Sequence, residues 1–167
     1  VHLGWRDAER GSAGIVATYN HLDLGGDSLD AYRVGVEGEI YLEQVTLGVE
    51  GGYFDLDGGD LAYVDALVRV YPSERARLDF RGGAFGVDKG DPLVQFGAGG
   101  EFLVTDHLAP FVRWEGSFPD DFETSFQHSA VAGLTVYWGG DAPSIQAYDR
   151  TYFQTSCNAV LFLGRMC

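Results

Sequence analysis

The sequence predicts an all-β chain: an eight-stranded antiparallel up-and-down transmembrane β-barrel with a C-terminal periplasmic extension. Three observations predict it. Short segments alternate an apolar residue with a glycine or a charged residue, the period of a strand whose two faces meet different surroundings. The charged residues of these segments fall on one face, as in a closed sheet with lipid outside and polar side chains within. The composition, with 24 Gly, 9 Tyr and 11 Phe against 1 Met, favours pleated surfaces and tight turns over helix.

The period-two segments place strands at 12–24, 31–41, 45–55, 61–71, 75–87, 93–103, 108–118 and 125–138. The second is the clearest: Tyr32, Val34, Val36 and Ile40 point one way, and Arg33, Glu37 and Glu39 the other. In the third, Val45, Leu47, Val49 and Tyr53 oppose Thr46, Gly48, Glu50 and Gly52. The fourth sets Ala62, Val64, Ala66 and Val68 against Tyr63, Asp65, Leu67 and Arg69. In the fifth, Ala76, Leu78 and Phe80 oppose Arg77, Asp79 and Arg81; in the sixth, Val94, Phe96 and Ala98 oppose Gln95, Gly97 and Glu101. The seventh sets Leu108, Val112 and Trp114 against Phe111, Arg113 and Glu115, and the eighth His128, Ala130, Ala132 and Leu134 against Ser129, Gly133 and Thr135. Residues 1–11 form an N-terminal extension, 12–138 the barrel and 139–167 a tail.

Connection lengths orient the barrel. Glu43-Gln44, Pro72–Glu74 and Val104–His107 are short, as periplasmic turns are, while the connections at 25–30, 55–60, 88–92 and 119–124 are longer and acidic and face outward. With an even number of strands both termini lie in the periplasm, and the export signal such a protein needs is taken as cleaved ahead of Val1.

These segments resemble the small outer-membrane barrels of the OmpA transmembrane-domain and OmpX type over residues 12–138. Leu134-Thr135-Val136-Tyr137-Trp138 is similar to the aromatic-ended final strand of such barrels, although here 29 residues follow it. The resemblance implies a bacterial outer-membrane location, contact with lipid and lipopolysaccharide, and an interior packed with ion pairs.

The main constellation is that interior. Arg33, Arg69, Arg77, Arg81 and Arg113 share the inward register with Glu37, Glu39, Glu50, Asp65, Asp79, Glu101 and Glu115. An eight-stranded barrel is only wide enough for its side chains to fill, so a salt-bridge core is expected. The alternative use of the same charges is a narrow ion or small-solute path. Asp27 and Asp30, Asp57 and Asp60, Asp88 and Asp91, and Asp120 and Asp121 gather in the outer loops. Oxygen-rich loops suit weakly bound Ca²⁺ or Mg²⁺, whereas ordinary turn chemistry uses the same residues. No other cofactor is expected.

The tail carries Cys157 and Cys167, which an oxidising periplasm would permit to pair, and the apolar run Val160, Leu161, Phe162 and Leu163, a surface for docking a periplasmic or membrane protein partner. Aromatic residues near strand ends, Tyr19, Tyr41, Tyr53, Tyr71, Phe118, Tyr137 and Trp138, are expected to form interfacial girdles. A net charge of −14 works against nucleic-acid binding, which draws its affinity from neutralising phosphates. An enzyme is not expected. Some small barrels are lipid A deacylases with His and Ser two apart, but His128 and Ser129 are adjacent and point to opposite faces. The sequence therefore reads as a non-enzymatic structural or scaffold barrel. A soluble lipocalin-like or β-sandwich binder is the rival, with the apolar face turned inward.

Overall fold

The computed structural model describes residues 1–23, 28–56, 59–87, 92–118, 126–137 and 144–151, with backbone alone for 20, 22–23, 28–29, 56, 59–60 and 87. Nine strands follow one another: β1 His2–Asp7, β2 Gly11–Asp23, β3 Ser28–Tyr41, β4 Val45–Leu56, β5 Gly59–Ser73, β6 Ala76–Val87, β7 Leu93–Phe102, β8 Leu108–Phe118 and β9 Gln127–Val136. A short helix, α1, spans Ile145–Thr151. Each strand pairs antiparallel with its sequence neighbour in a single up-and-down sheet, in the order β1 to β9.

Two expectations are corrected here. The sheet has nine strands rather than eight, because residues 2–7 of the expected N-terminal extension pair with β2 from His2 opposite Val16 to Asp7 opposite Gly11. Among the described residues no ladder joins β1 to β9. Ahead of β1, the Val1 nitrogen donates to the Ala17 carbonyl, so Val1 lies beside the middle of β2.

The β1–β2 turn is built by its side chains. Asp7 Oδ1 accepts from the backbone N–H groups of Glu9 and Arg10 at 2.9 and 3.2 Å. Gly11 follows at φ 153°, where a Cβ would overlap the Glu39 carbonyl oxygen, so only glycine fits. In the β7–β8 turn, Thr105 Oγ1 accepts from the N–H groups of His107 and Leu108, closing the loop locally.

The distribution of side chains is inverted relative to a protein folded in water. Val36 and Val64 are 65% and 51% exposed, whereas Arg69 and Asp79 are each 4% exposed. The alternation explains this: charged and apolar residues occupy opposite faces of each strand, and the sheet curls around the charged one. The curl is visible at α1, which touches both ends of the strand order. Arg6 of β1 donates to the Asp149 carbonyl at 2.7 Å, and the Tyr137 ring, just past β9, meets Tyr148 edge-on at 4.5 Å.

Candidate functional site: the ionic interior and its helical plug

Strands β3, β5, β6 and β7 supply the densest part of the charged face. Arg69 on β5 reaches Glu39 on β3 at 3.4 Å and Asp79 on β6 at 3.2 Å. Asp79 also accepts from Arg77 Nε at 3.1 Å, and Arg77 Nη2 donates to Glu101 on β7 at 2.6 Å. The pattern follows from the register, since Arg69 lies opposite Asp79 and Arg77 opposite Glu101 in adjacent ladders. Unlike charges are thus cross-strand neighbours, the arrangement in which sheet pairs attract. The guanidinium fork of each arginine spans two or more carboxylates, which a lysine could not do with the same geometry.

Nearer the long-loop end, Arg33 pairs with Glu50, and Arg33 Nε donates to the Tyr63 hydroxyl at 2.9 Å. Tyr63 in turn donates to Glu50 at 2.7 Å. Gly35 makes room for this triad: a Cβ there would overlap the Tyr63 hydroxyl. Asp65 accepts from Gln95 at 3.2 Å, and Glu37 meets His2 of β1 at 2.9 Å. Arg81, Arg113 and Glu115 are half-buried on the same face. All twelve residues expected in the interior lie on the less exposed face of the sheet; Arg33, Glu39, Glu50, Arg69, Arg77, Asp79 and Glu101 are in ion pairs, and Glu37 is hydrogen-bonded to the His2 ring.

Sequence reasoning missed the residue that completes the network. Asp149 on α1 is 2% exposed and receives Arg77 Nη1 at 3.0 and 2.9 Å on its two carboxylate oxygens, while Tyr71 donates to it at 3.1 Å. Burial pushes the Asp149 carboxyl above its ordinary value, while the nearby Arg77 and Arg69 guanidinium groups pull it back down. The signal for α1 was present in local chemistry. Ser144 caps it, accepting from the Ala147 N–H at 3.1 Å, and Ile145, Tyr148 and Asp149 share a face at helical spacing.

α1 packs against the short-turn end of the sheet. Ile145 is fully buried among Tyr71, Leu103, Ala109 and Tyr137, with Tyr148 packed against them. Its backbone N–H donates to the Glu74 carbonyl at 2.9 Å. On the outer side, Gln146 donates to the Glu43 carbonyl and Arg150 to the Leu42 and Val45 carbonyls. The Arg150 guanidinium also lies 5.0 Å from the centre of the Tyr41 ring.

The girdle expectation is corrected by the same contacts. Tyr41, Tyr71 and Tyr137 are buried inside at 6, 2 and 5% exposure. Tyr41 and Tyr71 stand two residues beyond Glu39 and Arg69, so the alternation puts them on the enclosed face. Their hydroxyls, with that of Tyr137, donate to Glu39, Asp149 and Glu101 respectively. Tyr19 and Tyr53 do face outward. An outer cluster of Phe96, Trp114, Phe118 and Phe126 covers the long-loop end of β7–β9, and His128 stacks on Phe126 at 5.6 Å.

Asp27, Asp57, Asp88, Asp91, Asp120, Asp121, Trp138, Cys157, Val160, Leu161, Phe162, Leu163 and Cys167 lie outside the described residues, and Asp60 is described by its backbone alone. Asp30 accepts from Tyr19 and from the His21 ring, both at 2.8 Å. Among the described residues no group of three or more His, Cys, Asp or Glu is placed to hold a metal ion. Likewise, none of their helices is long and apolar enough to cross a membrane.

No family model, curated protein or solved structure matches this chain.

Proposed function

We propose that the chain is a structural, non-enzymatic outer-membrane barrel whose interior is filled by ion pairs and stoppered at the short-turn end by α1. The observation that carries this reading is the inverted exposure: Val36, Val49, Val64, Val112 and Leu134 face outward while Arg69, Arg77, Asp79 and Glu101 are buried. In water, so much exposed apolar surface would favour aggregation; in a bilayer it is the surface that lipid requires. A soluble binder would bury the valines and expose the charges. The network also works against conduction, because Arg77, Asp149, Tyr71 and Tyr137 are packed together and buried at the short-turn end, leaving their charges paired rather than open to a passing ion.

The test is purification with and without detergent. A membrane barrel folds into phosphatidylcholine vesicles and migrates faster on a gel unheated than boiled. A monodisperse, folded protein in detergent-free buffer overturns the reading. Stepwise conductance in planar bilayers would replace the stoppered barrel with a channel.

A further inference from the structure

We infer that Arg113 on β8 and Arg81 on β6 form a binding site for a small oxyanion of the phosphate or sulfate class, on the charged face of the sheet above β7.

The register sets the site up. Arg113 lies opposite Gly99 on β7, which lies opposite Asp79 on β6. One inward position nearer the long-loop end, Glu115, Gly97 and Arg81 form the same kind of row. Neither glycine carries a side chain, so groups from β8 can cross β7. A Cβ on Gly99 would meet Arg113 Cβ and Cγ at 3.4 Å, and one on Gly97 would meet Glu115 Cγ at 3.3 Å, so both stems lean over that strand. Two strand spacings, about 10 Å, separate β6 from β8, a gap that long side chains reaching from either side can close.

The row into which Arg113 leans offers it no open acid. Asp79 accepts Arg69 Nε on Oδ1 at 3.2 Å and Arg77 Nε on Oδ2 at 3.1 Å, so each of its oxygens already serves a guanidinium. Glu101 and Asp149 accept from Arg77 in turn. On the other side, Arg113 lies opposite Val131 of β9, which brings no charge. Among the described residues Arg113 enters no ion pair or hydrogen bond.

Its charged neighbour is a second cation. Of the charges acting on Arg81, that of Arg113 is the strongest, and it is repulsive; Asp79, Arg69 and Glu115 act more weakly. Both arginines are half-buried, so their repulsion is screened less than it would be in bulk water while a small ion can still reach them. Glu115, leaning toward Arg81 across Gly97, balances one charge of the pair, and an anion held between the two guanidinium groups balances the other. Guanidinium forks present paired N–H donors that match the oxygens of phosphate or sulfate, which a spherical halide cannot use in the same way.

The inference goes beyond the membrane reading, since register and side-chain placement are the same in either solvent, and its test is scored separately from vesicle insertion. The full chain in detergent micelles is dialysed at neutral pH and low ionic strength against labelled inorganic phosphate, beside Arg113→Gln, Arg113→Lys and the surface control Arg10→Gln. Native mobility of the unheated sample certifies that each variant is folded. The parent should take up phosphate saturably, one ion per chain. Arg113→Gln should weaken that uptake at least about tenfold, and Arg113→Lys by a smaller factor, because an ammonium keeps the charge and loses the fork. Arg10→Gln should match the parent. Sulfate should displace the phosphate at an ionic strength at which chloride does not. Arg113→Lys carries the comparison should Arg113→Gln not fold. No saturable uptake by the parent, uptake by both Arg113 variants equal to the parent's, or displacement by chloride as effective as by sulfate would each overturn the site.

Discussion

Arg77 on β6 and Asp149 on α1, 72 residues apart in sequence, meet through a two-point contact of 3.0 and 2.9 Å. Arg77 also serves Asp79 and Glu101, so one guanidinium neutralises carboxylates from two strands and a helix. Around it, Arg69 and Arg77 each bridge more than one of Glu39, Asp79, Glu101 and Asp149, which makes the two arginines harder to replace than any single acid.

Arg77→Ala should therefore be among the most damaging substitutions in the chain. It leaves three buried carboxylates without their shared cation, a loss of about 3–5 kcal/mol. The midpoint of the heat-dependent gel shift measures it. A change within that of a surface substitution such as Arg10→Ala would show that the interior is hydrated and screened.

Asp149→Asn should be mild by comparison, because Arg77 keeps Asp79 and Glu101. Its effect has a defined pH sign. The carboxyl is raised above its unfolded value, so the stability gained from protonating it is fully present below the unfolded value and lost as pH rises through the folded one. Relative to Asp149→Asn, the parent should lose stability from acid toward neutral pH and then level off. Unfolding midpoints of the two proteins across that range decide it; a relative gain with rising pH would contradict the burial of this group.

Val64→Arg separates the two solvents. On a lipid-facing position near mid-membrane the change costs about 2–4 kcal/mol of folding into vesicles. On a water-facing surface the same substitution stays within about 0.5 kcal/mol. Urea titration of vesicle-folded protein reads the difference.

Gly35→Ala should push Tyr63 off Glu50 and cost about 1–3 kcal/mol, the usual price of overpacking. Tyr63→Phe removes the hydroxyl that a new methyl would meet, so the double variant should lose less than the sum of the single changes. Strict additivity would mean that the strain falls on the Gly51 carbonyl instead, the next group within reach of that methyl.

β2 to β9 were legible because each has enough alternating positions to declare both its length and its faces. β5, for example, carries Val64, Ala66 and Val68 against Asp65, Leu67 and Arg69 without interruption. β1 alternates too, with Leu3 and Trp5 outward and His2 and Arg6 inward, but six residues with Gly4 at the centre make too short a period to stand out. Asp149 escaped notice for a different reason. Alternation along strands orders the charges of a sheet, whereas Asp149 enters the same network from a helix of 7 residues whose cue is a serine cap and an i, i+3, i+4 face. Tyr41 and Tyr71 were misread because position at a strand end was weighed above parity with Glu39 and Arg69.

The pairing of each strand only with its sequence neighbours has a kinetic corollary. Hairpins can zip one after another with little chain entropy to overcome, from β1–β2 through β8–β9. The Arg77–Asp149 bond has no such local shortcut. It joins α1 to β6 across 72 residues of sequence, so its loop-closure cost exceeds that of any hairpin and is met most cheaply once the strands between them have already paired.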